Sequence, residues 1–363
     1  MIGFIDYPTF QVFLAIFLSM AITMVLLPLW IRIMRFRGIG QQIRADGPQR
    51  HLVKQGIPTM GGVIILGSVL ITVLLLSRSA EAEQALALQS ASPETIPNPL
   101  ILPLICAVTL LTGVMGLIDD LSKVVKERSL GIRPNVKMIC LTLISVGFCL
   151  AAVNFADIEP TITIPFLPPI NLGILTTTIP LGDMSFSIPW LYLVFVFLLM
   201  AGMSNAVNLT DGLDGLAGGA IMIAMVVMAA IAYRTNQFNT ALFAAAVTGA
   251  CVGFLWFNAH PADIFMGDTG SLALGVAFAA IAVMTKAEVV SLVIGGVFVF
   301  EALSVMIQVG YFKLTRKRFF LMAPFHHHFE QKGWSETKVV FRFWIITALL
   351  ACVGFALFFY QTL

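Results

Sequence analysis

Ten long apolar runs dominate this chain, centred near residues 20, 68, 109, 146, 199, 225, 249, 278, 300 and 350. A helix needs about 20 mostly apolar residues to cross the hydrocarbon layer of a bilayer. Backbone N–H and C=O groups find no water there, so a spanning segment must satisfy them internally. Only 11% of the residues are charged, against about 25% in an ordinary soluble domain. The expected fold is therefore an all-α integral membrane protein, one polytopic domain over residues 1–363 with about ten transmembrane helices. The eighth run, Ser271 to Thr285, is short. The ninth starts at Val289 and is expected to continue past the membrane through VGYFKLTRKRFF.

Charge placement sets the orientation. The first basic residue is Arg32, after the first run. That is the wrong polarity for a cleaved signal peptide, so the first helix should stay in the membrane with its N-terminus outside. With ten spans both termini lie outside. All but three of the 21 Lys and Arg then fall in connections on one side, the exceptions being Arg78, Arg234 and Lys286. The basic connections are 32–59 (with Arg44, Arg50 and Lys54), 119–137 (with Lys123, Arg128 and Lys137) and 311–342 (with Lys313, Lys317 and Arg318). The positive-inside rule makes that side cytoplasmic. Connection 154–189, with PTITIPFLPP and LTTTIPLGDMSFSIP, reads as a short β-hairpin on the outer surface. The five cysteines lie inside apolar runs without a CxxC pair and read as packing residues.

Seven of the ten aspartates fall on the cytoplasmic side: Asp46, Asp119, Asp120, Asp211, Asp214, Asp263 and Asp268. Loops 208–215 and 258–270 carry four of them without any Lys or Arg, beside three connections rich in both. An acidic set facing a basic set points to a site for a metal ion and a polyanion. A carboxylate at a helix centre costs about 2.5–3.5 kcal/mol on insertion scales, and much less at an end. Asp119 and Asp120 sit at the C-terminal end of the third run, where the helix dipole disfavours negative charge. The bland reading pairs Asp119 with Lys123 one turn on. The functional one has one carboxylate holding a cation while its neighbour does acid–base work. In LTDGLDG, 209–215, Asp211 and Asp214 are three apart and share a face if the turn is helical. Either could instead cap the sixth helix. Asp268 in FMGDTGS could cap the eighth helix or meet phosphate or a cation. PFHHHFE, 324–330, holds three consecutive histidines, which diverge on a helix and cannot easily share one metal. Near basic residues they suit a substrate oxyanion. The ends of the third, fifth and seventh helices are expected to converge, with Asp119, Asp211 and Asp268 as near neighbours. The Asp119 and Asp268 carboxylates should then lie within roughly 10 Å, the room needed for a hydrated metal ion and a phosphate.

PTMGG (58–62), GLIDD (116–120), NAVNLTDGLDGL (205–216), FNAHPADIFMGDTGS (257–271) and PFHHHFE occur in that order over nearly the whole chain. The sequence resembles the phospho-N-acetylmuramoyl-pentapeptide transferase family, within the polyprenyl-phosphate sugar-1-phosphate transferases. The resemblance implies a magnesium-dependent enzyme of the bacterial plasma (inner) membrane with its active site on the cytoplasmic face. Its substrates would be UDP-N-acetylmuramoyl-pentapeptide and undecaprenyl phosphate, and its products lipid I and UMP, in peptidoglycan synthesis. It implies Asp119 as base or phosphate-orienting acid, Asp120 as a metal partner and Asp268 as the main magnesium ligand. Asn208, Asp211, Asn258 and Phe265 would contact uridine or diphosphate, and Lys54, Lys123, Lys137, His326 and His327 the phosphates. Membrane lipid is a partner, nucleic acid is not, and a homodimer is compatible with the reading. One rival is an enzyme moving N-acetylglucosamine-1-phosphate to the same lipid. A transporter is another, kept open by Glu301 within the ninth run. A non-catalytic scaffold is the third, and it has no use for carboxylates at three helix ends.

Overall fold

The computed structural model describes residues 7–40, 54–78, 98–126, 131–182 and 184–361. Arg44, Asp46, Arg50 and Arg128 lie outside these residues. Nine helices among them are long and apolar enough to span a membrane. They are α1 (Pro8–Phe36), α3 (Ile101–Val125), α4 (Pro134–Phe155), α5 (Trp190–Thr210), α6 (Leu216–Arg234), α7 (Phe238–Asn258), α8 (Gly267–Met284), α10 (Gly296–Thr315) and α12 (Glu336–Gln361). Between them lie α2 (Gly62–Leu76), α9 (Glu288–Ile294) and α11 (Phe325–Gln331).

The second run is shorter than expected. Helix α2 has 15 residues, about 22 Å of rise against a hydrocarbon layer of about 30 Å. Its start is fixed by backbone pairing of PTMGG with the segment before α8. Phe265 N–H donates to Pro58 O (2.8 Å), Gly61 N–H to Phe265 O (2.9 Å) and Gly62 N–H to Met266 O (2.9 Å). The ninth run also departs from expectation. It breaks at the Gly295–Gly296 pair into α9 and α10, as adjacent small residues let a helix ladder slip. Helix α10 then stops at Thr315, where Arg316 turns left-handed at φ 57°, so the helix does not run through Phe320.

Helix α8 is the axis of the bundle: every residue from Thr269 to Met284 is buried. Helices α3 and α5 pack along it, α2 and α6 touch it, and α7, packed on α6, is covered by α1. In a membrane, apolar surface gains little by leaving lipid, so close packing of small residues does the work of association. A Cβ on Gly116 of α3 would come within 2.3 Å of Asp268 O, and one on Gly275 within 2.6 Å of Met203 O.

Past the C-terminus of α8, Lys286 contacts Glu288 Oε1 (3.0 Å), Tyr192 Oη (3.3 Å) and the carbonyls of Glu159 and Thr161. Segment 154–189 forms two antiparallel pairs, β1 (Thr161–Ile162) with β2 (Ile170–Asn171) and β3 (Thr176–Leu181) with β4 (Met184–Pro189). In the second, Thr176 faces Pro189 and Leu181 faces Met184. Asn154 clamps it to α4 by accepting from Ser187 N–H (2.7 Å) and donating to Ser187 O (2.8 Å). These strands and the acidic residues at the start of α8 lie at opposite ends of that helix, about 27 Å apart by its rise.

Candidate active site

Three charged groups gather at the N-terminal end of α8. The first joins α3, α4, α5 and α8. Lys123 Nζ lies 2.7 Å from Asp119 Oδ2, 3.4 Å from Asp120 Oδ1 and 3.0 Å from Asp268 Oδ1. Lys137 Nζ lies 3.0 Å from Asp119 Oδ1 and 2.6 Å from Asp268 Oδ2. Asn208 donates to Asp268 Oδ1 (3.0 Å) and to Ser271 Oγ (2.8 Å). Carboxylate oxygens of Asp119, Asp120 and Asp268 lie within 4.8 Å of one another, well inside the expected span. The i,i+4 pair of Asp119 and Lys123 is present, but its lysine also serves Asp268, so the bland and functional readings share one geometry.

The carboxylates have different duties. Asp120 is buried and takes three bonds from the start of α8: Asp268 N–H (3.1 Å), Thr269 N–H (2.9 Å) and Thr269 Oγ–H (2.7 Å). Asp268 does not cap α8; the cap comes from α3, and it places Asp268. Asp119 accepts from Ile132 N–H (2.7 Å) and lies between the two lysines. Asp268 keeps part of its surface exposed. All three offer hard oxygen donors, as magnesium requires. Magnesium is commonly held by one or two carboxylates and substrate phosphates. The donor set fits that ion, with Asp268 and Asp119 the freer ligands and Asp120 committed to the helix.

The second group surrounds Asp214. Lys54 Nζ lies 2.7 Å from Asp214 Oδ1 and 2.6 Å from Glu336 Oε1. His260 Nδ1 lies 2.8 Å from Asp214 Oδ2, and Ala262 N–H donates to that oxygen (3.2 Å). Glu336 Oε1 also accepts from Asp214 N–H (2.7 Å). Asn258 is buried, accepting from Gly215 N–H (3.0 Å) and donating to Ile264 O (2.8 Å), so its side chain shapes two loops. Phe265 is half-buried, its backbone paired with PTMGG.

Loop 211–215 is not helical, so Asp211 and Asp214 do not share a face. Asp214 enters the second group. Asp211 follows the last turn of α5, and its carboxyl is pushed up to about 7, first by burial, then by the charges of Asp268, Asp120 and Asp214. Neither caps α6, whose N-cap is Gly215 in the left-handed region at φ 80°. Glycine adopts that conformation without steric cost. The loop is held from outside by Trp344, whose indole N–H donates to Gly215 O (3.2 Å).

The third group holds the histidines, and each has its own partner. His326 Nδ1 lies 3.1 Å from Glu301 Oε2, His327 Nδ1 lies 2.6 Å from Glu330 Oε2, and His328 Nδ1 accepts from Leu321 N–H (3.1 Å). Sequence reasoning missed Thr269, Ile132 and Glu336. Glu336 reads as an ordinary acid in a first helical turn, complementing the dipole, and only the fold brings it to Asp214.

Comparisons with known proteins bear on the family of this chain. The profile of glycosyl transferase family 4 matches residues 102–286. Signature 1 of phospho-N-acetylmuramoyl-pentapeptide-transferase matches 54–66, from Lys54 into α2. The chain is 45% identical over 342 residues to the phospho-N-acetylmuramoyl-pentapeptide-transferase of Halalkalibacterium halodurans, covering 94% of this chain and 95% of that one. It is 42% identical over 339 residues to the protein of that name from Bacillus subtilis, covering 93% and 95%. With the Neisseria gonorrhoeae protein it shares 41% over 366 residues, covering 96% and 93%. Identity at this level over nearly the full length of both chains, on a multi-pass helical fold with charged groups gathered at one end of its central helix, makes this chain a member of the phospho-N-acetylmuramoyl-pentapeptide-transferase family.

Proposed function

We propose that this enzyme transfers phospho-N-acetylmuramoyl-pentapeptide from its UDP carrier to undecaprenyl phosphate, giving lipid I and UMP. The reaction takes place at the cytoplasmic face of the bacterial plasma membrane. The observation that carries the reading is the meeting of Asp119, Asp268, Lys123 and Lys137 at one end of the bundle. An oxygen of the lipid phosphate forms a bond to the sugar-bearing phosphorus. The bond from that phosphorus to the bridging oxygen breaks, and UMP leaves with the electron pair. Such a transfer between anions depends on positioning and charge neutralisation.

Lys123 and Lys137 supply positive charge. Asp119 holds both ammonium groups in place through its two oxygens. A phosphate monoester has a second pKa near 6, so the lipid phosphate is largely dianionic at neutral pH and attacks directly without a strong base. Magnesium, held by Asp268 with Asp119, would neutralise charge on the diphosphate. Asp120 and Asn208 keep Asp268 aimed. Asp211, at the rim, faces the nucleotide, and His326 and His327 the phosphates.

The test is UMP release by purified protein given undecaprenyl phosphate, magnesium and either UDP-N-acetylmuramoyl-pentapeptide or UDP-N-acetylglucosamine. Release from the first alone supports the reading. Release from the second alone makes the protein the N-acetylglucosamine-1-phosphate enzyme instead.

A further inference from the structure

We infer that Glu301 is a positioning residue for the transfer, holding His326 so that its Nε2 atom is presented to the 211–214 loop and the substrate phosphates there. The inference rests on the proposed reaction for its assay and on geometry for its substance. Glu301 is fully buried within α10. A carboxylate in a membrane helix is costly unless something inside the bundle uses it. Here both oxygens go to one residue: Oε1 accepts from His326 N–H (3.1 Å), and Oε2 lies 3.1 Å from His326 Nδ1. Capture of backbone and ring together fixes the start of α11 and the ring plane. With Nδ1–H donated to the carboxylate, Nε2 becomes the outward nitrogen, since the bond made by one ring nitrogen sets the state of the other.

That outward atom supplies the second observation. His326 is fully buried, and its Nε2 has no hydrogen-bond partner among the described residues. Buried polar groups are nearly always paired, so an orphan needs a reason. Nε2 faces Gly212: a Cβ built there would lie 2.6 Å from Nε2 and 3.1 Å from the ring carbon Cε1. The loop presents Gly212, and so no side chain, where the nitrogen faces it. A histidine serving only to join α10 to α11 would need one ring nitrogen and could present the other to any side chain. The ring is instead aimed at the loop that carries Asp211 and Asp214.

Glutamine at 301 reverses the pattern. Its carbonyl can accept the His326 N–H, which leaves its NH2 to donate to Nδ1; Nδ1 loses its proton and Nε2 gains it. The experiment compares wild type, Glu301→Gln, His326→Gln and the double variant for UMP release. Histidine 15N spectra of the same detergent-solubilised proteins are recorded, with the His326 signals identified by their loss in His326→Gln. Glu301→Gln should remain folded and lose about 10–100-fold in turnover, the usual effect of removing the partner that orients a functional imidazole. Its His326 15N signals should exchange between the protonated and unprotonated positions. In the His326→Gln background the same change should cost nothing further. Equal losses in both backgrounds, or unchanged 15N signals, would overturn the inference. If Glu301→Gln does not fold, Glu301→Asp takes its place, with reduced turnover and the same absence of additivity expected; wild-type turnover in that variant overturns the inference. A wild-type protein that releases no UMP defeats the proposed reaction, while the 15N arm still decides the role of Glu301.

Discussion

Replacing Asp268 by Asn tests the charge balance of the site. Asp119, Asp120 and Asp268 against Lys123 and Lys137 leave one net negative charge, and a divalent cation turns this to one net positive charge, matched to an incoming diphosphate. The Asp268→Asn change removes one of the two freer carboxylates. One unit-charge attraction at 4 Å and an effective dielectric near 20 is worth about 4 kcal/mol, a lower bound for a divalent ion. Loss of that amount corresponds to roughly three decades in cation affinity. The fold should survive, because neither lysine is orphaned: Asp119 stays within 2.7 Å of Lys123 and 3.0 Å of Lys137. The assay is UMP release over a magnesium titration, with thermal unfolding as a check on folding. Turnover should fall by about three decades at a magnesium concentration that half-saturates the wild type. Wild-type turnover with an unchanged magnesium requirement would show that Asp268 neither binds the cation nor sets the field around it.

Asp120→Asn should act through stability. Its single carbonyl cannot serve all three donors at the start of α8, so a buried N–H is left unpaired at about 1–3 kcal/mol. Thermal unfolding should show a larger loss for Asp120→Asn than for Asp268→Asn; the opposite ranking would remove Asp120 from its capping role. Asp211 governs a pH effect. Its pKa is raised to about 7 from an ordinary value near 3.8, so the folded protein holds this proton more tightly than the unfolded chain. The resulting stability is complete below about pH 4 and is lost as pH rises through about 7. In magnesium-free detergent solution the unfolding temperature of the wild type should therefore fall across that window more than that of Asp211→Asn, and superimposable profiles would refute the assignment. A single cysteine at Lys317 in an otherwise cysteine-free protein should react with an impermeant maleimide only after the membrane is opened; labelling in intact cells would reverse the orientation.

The helices were legible because burial in lipid and burial in protein demand the same apolar residues. The runs near 109, 146, 199, 225, 249 and 278 become α3 to α8. Asp119 and Asp268 were legible because an apolar chain has few uses for a carboxylate at a helix end besides binding or catalysis. Local spacing misled at Asp211 and Asp214. Three residues apart implies one face only inside a helix, and the glycines of LTDGLDG end the helix before the spacing can apply. Capping misled at Asp268 for a related reason. A local sequence offers only a local cap, whereas α8 takes its cap from Asp120, 148 residues earlier. Glu301 showed the same limit in reverse. A buried acid within a span looked like part of a transport path, and only its contact with His326 gave it a different use.

The site depends on the placement of α8, and the chain secures that helix by three separate means. At one end Asp120 binds its first peptide groups. Beyond the other, Lys286 ties the following turn to Glu288, Tyr192 and the β1 segment. Between them, glycines let neighbouring backbones touch where Leu or Phe would hold them apart, as at Gly116 against Asp268 and Gly275 against Met203. Interior packing gives way in steps and not smoothly, so a methyl group at Gly116 would displace the backbone that carries Asp268 itself. Side chains held on rigid elements are placed more accurately than side chains on loops. This explains why Asp268 stands on the most enclosed helix of the bundle, while Asp211 and Asp214, which meet different partners, stand on a loop.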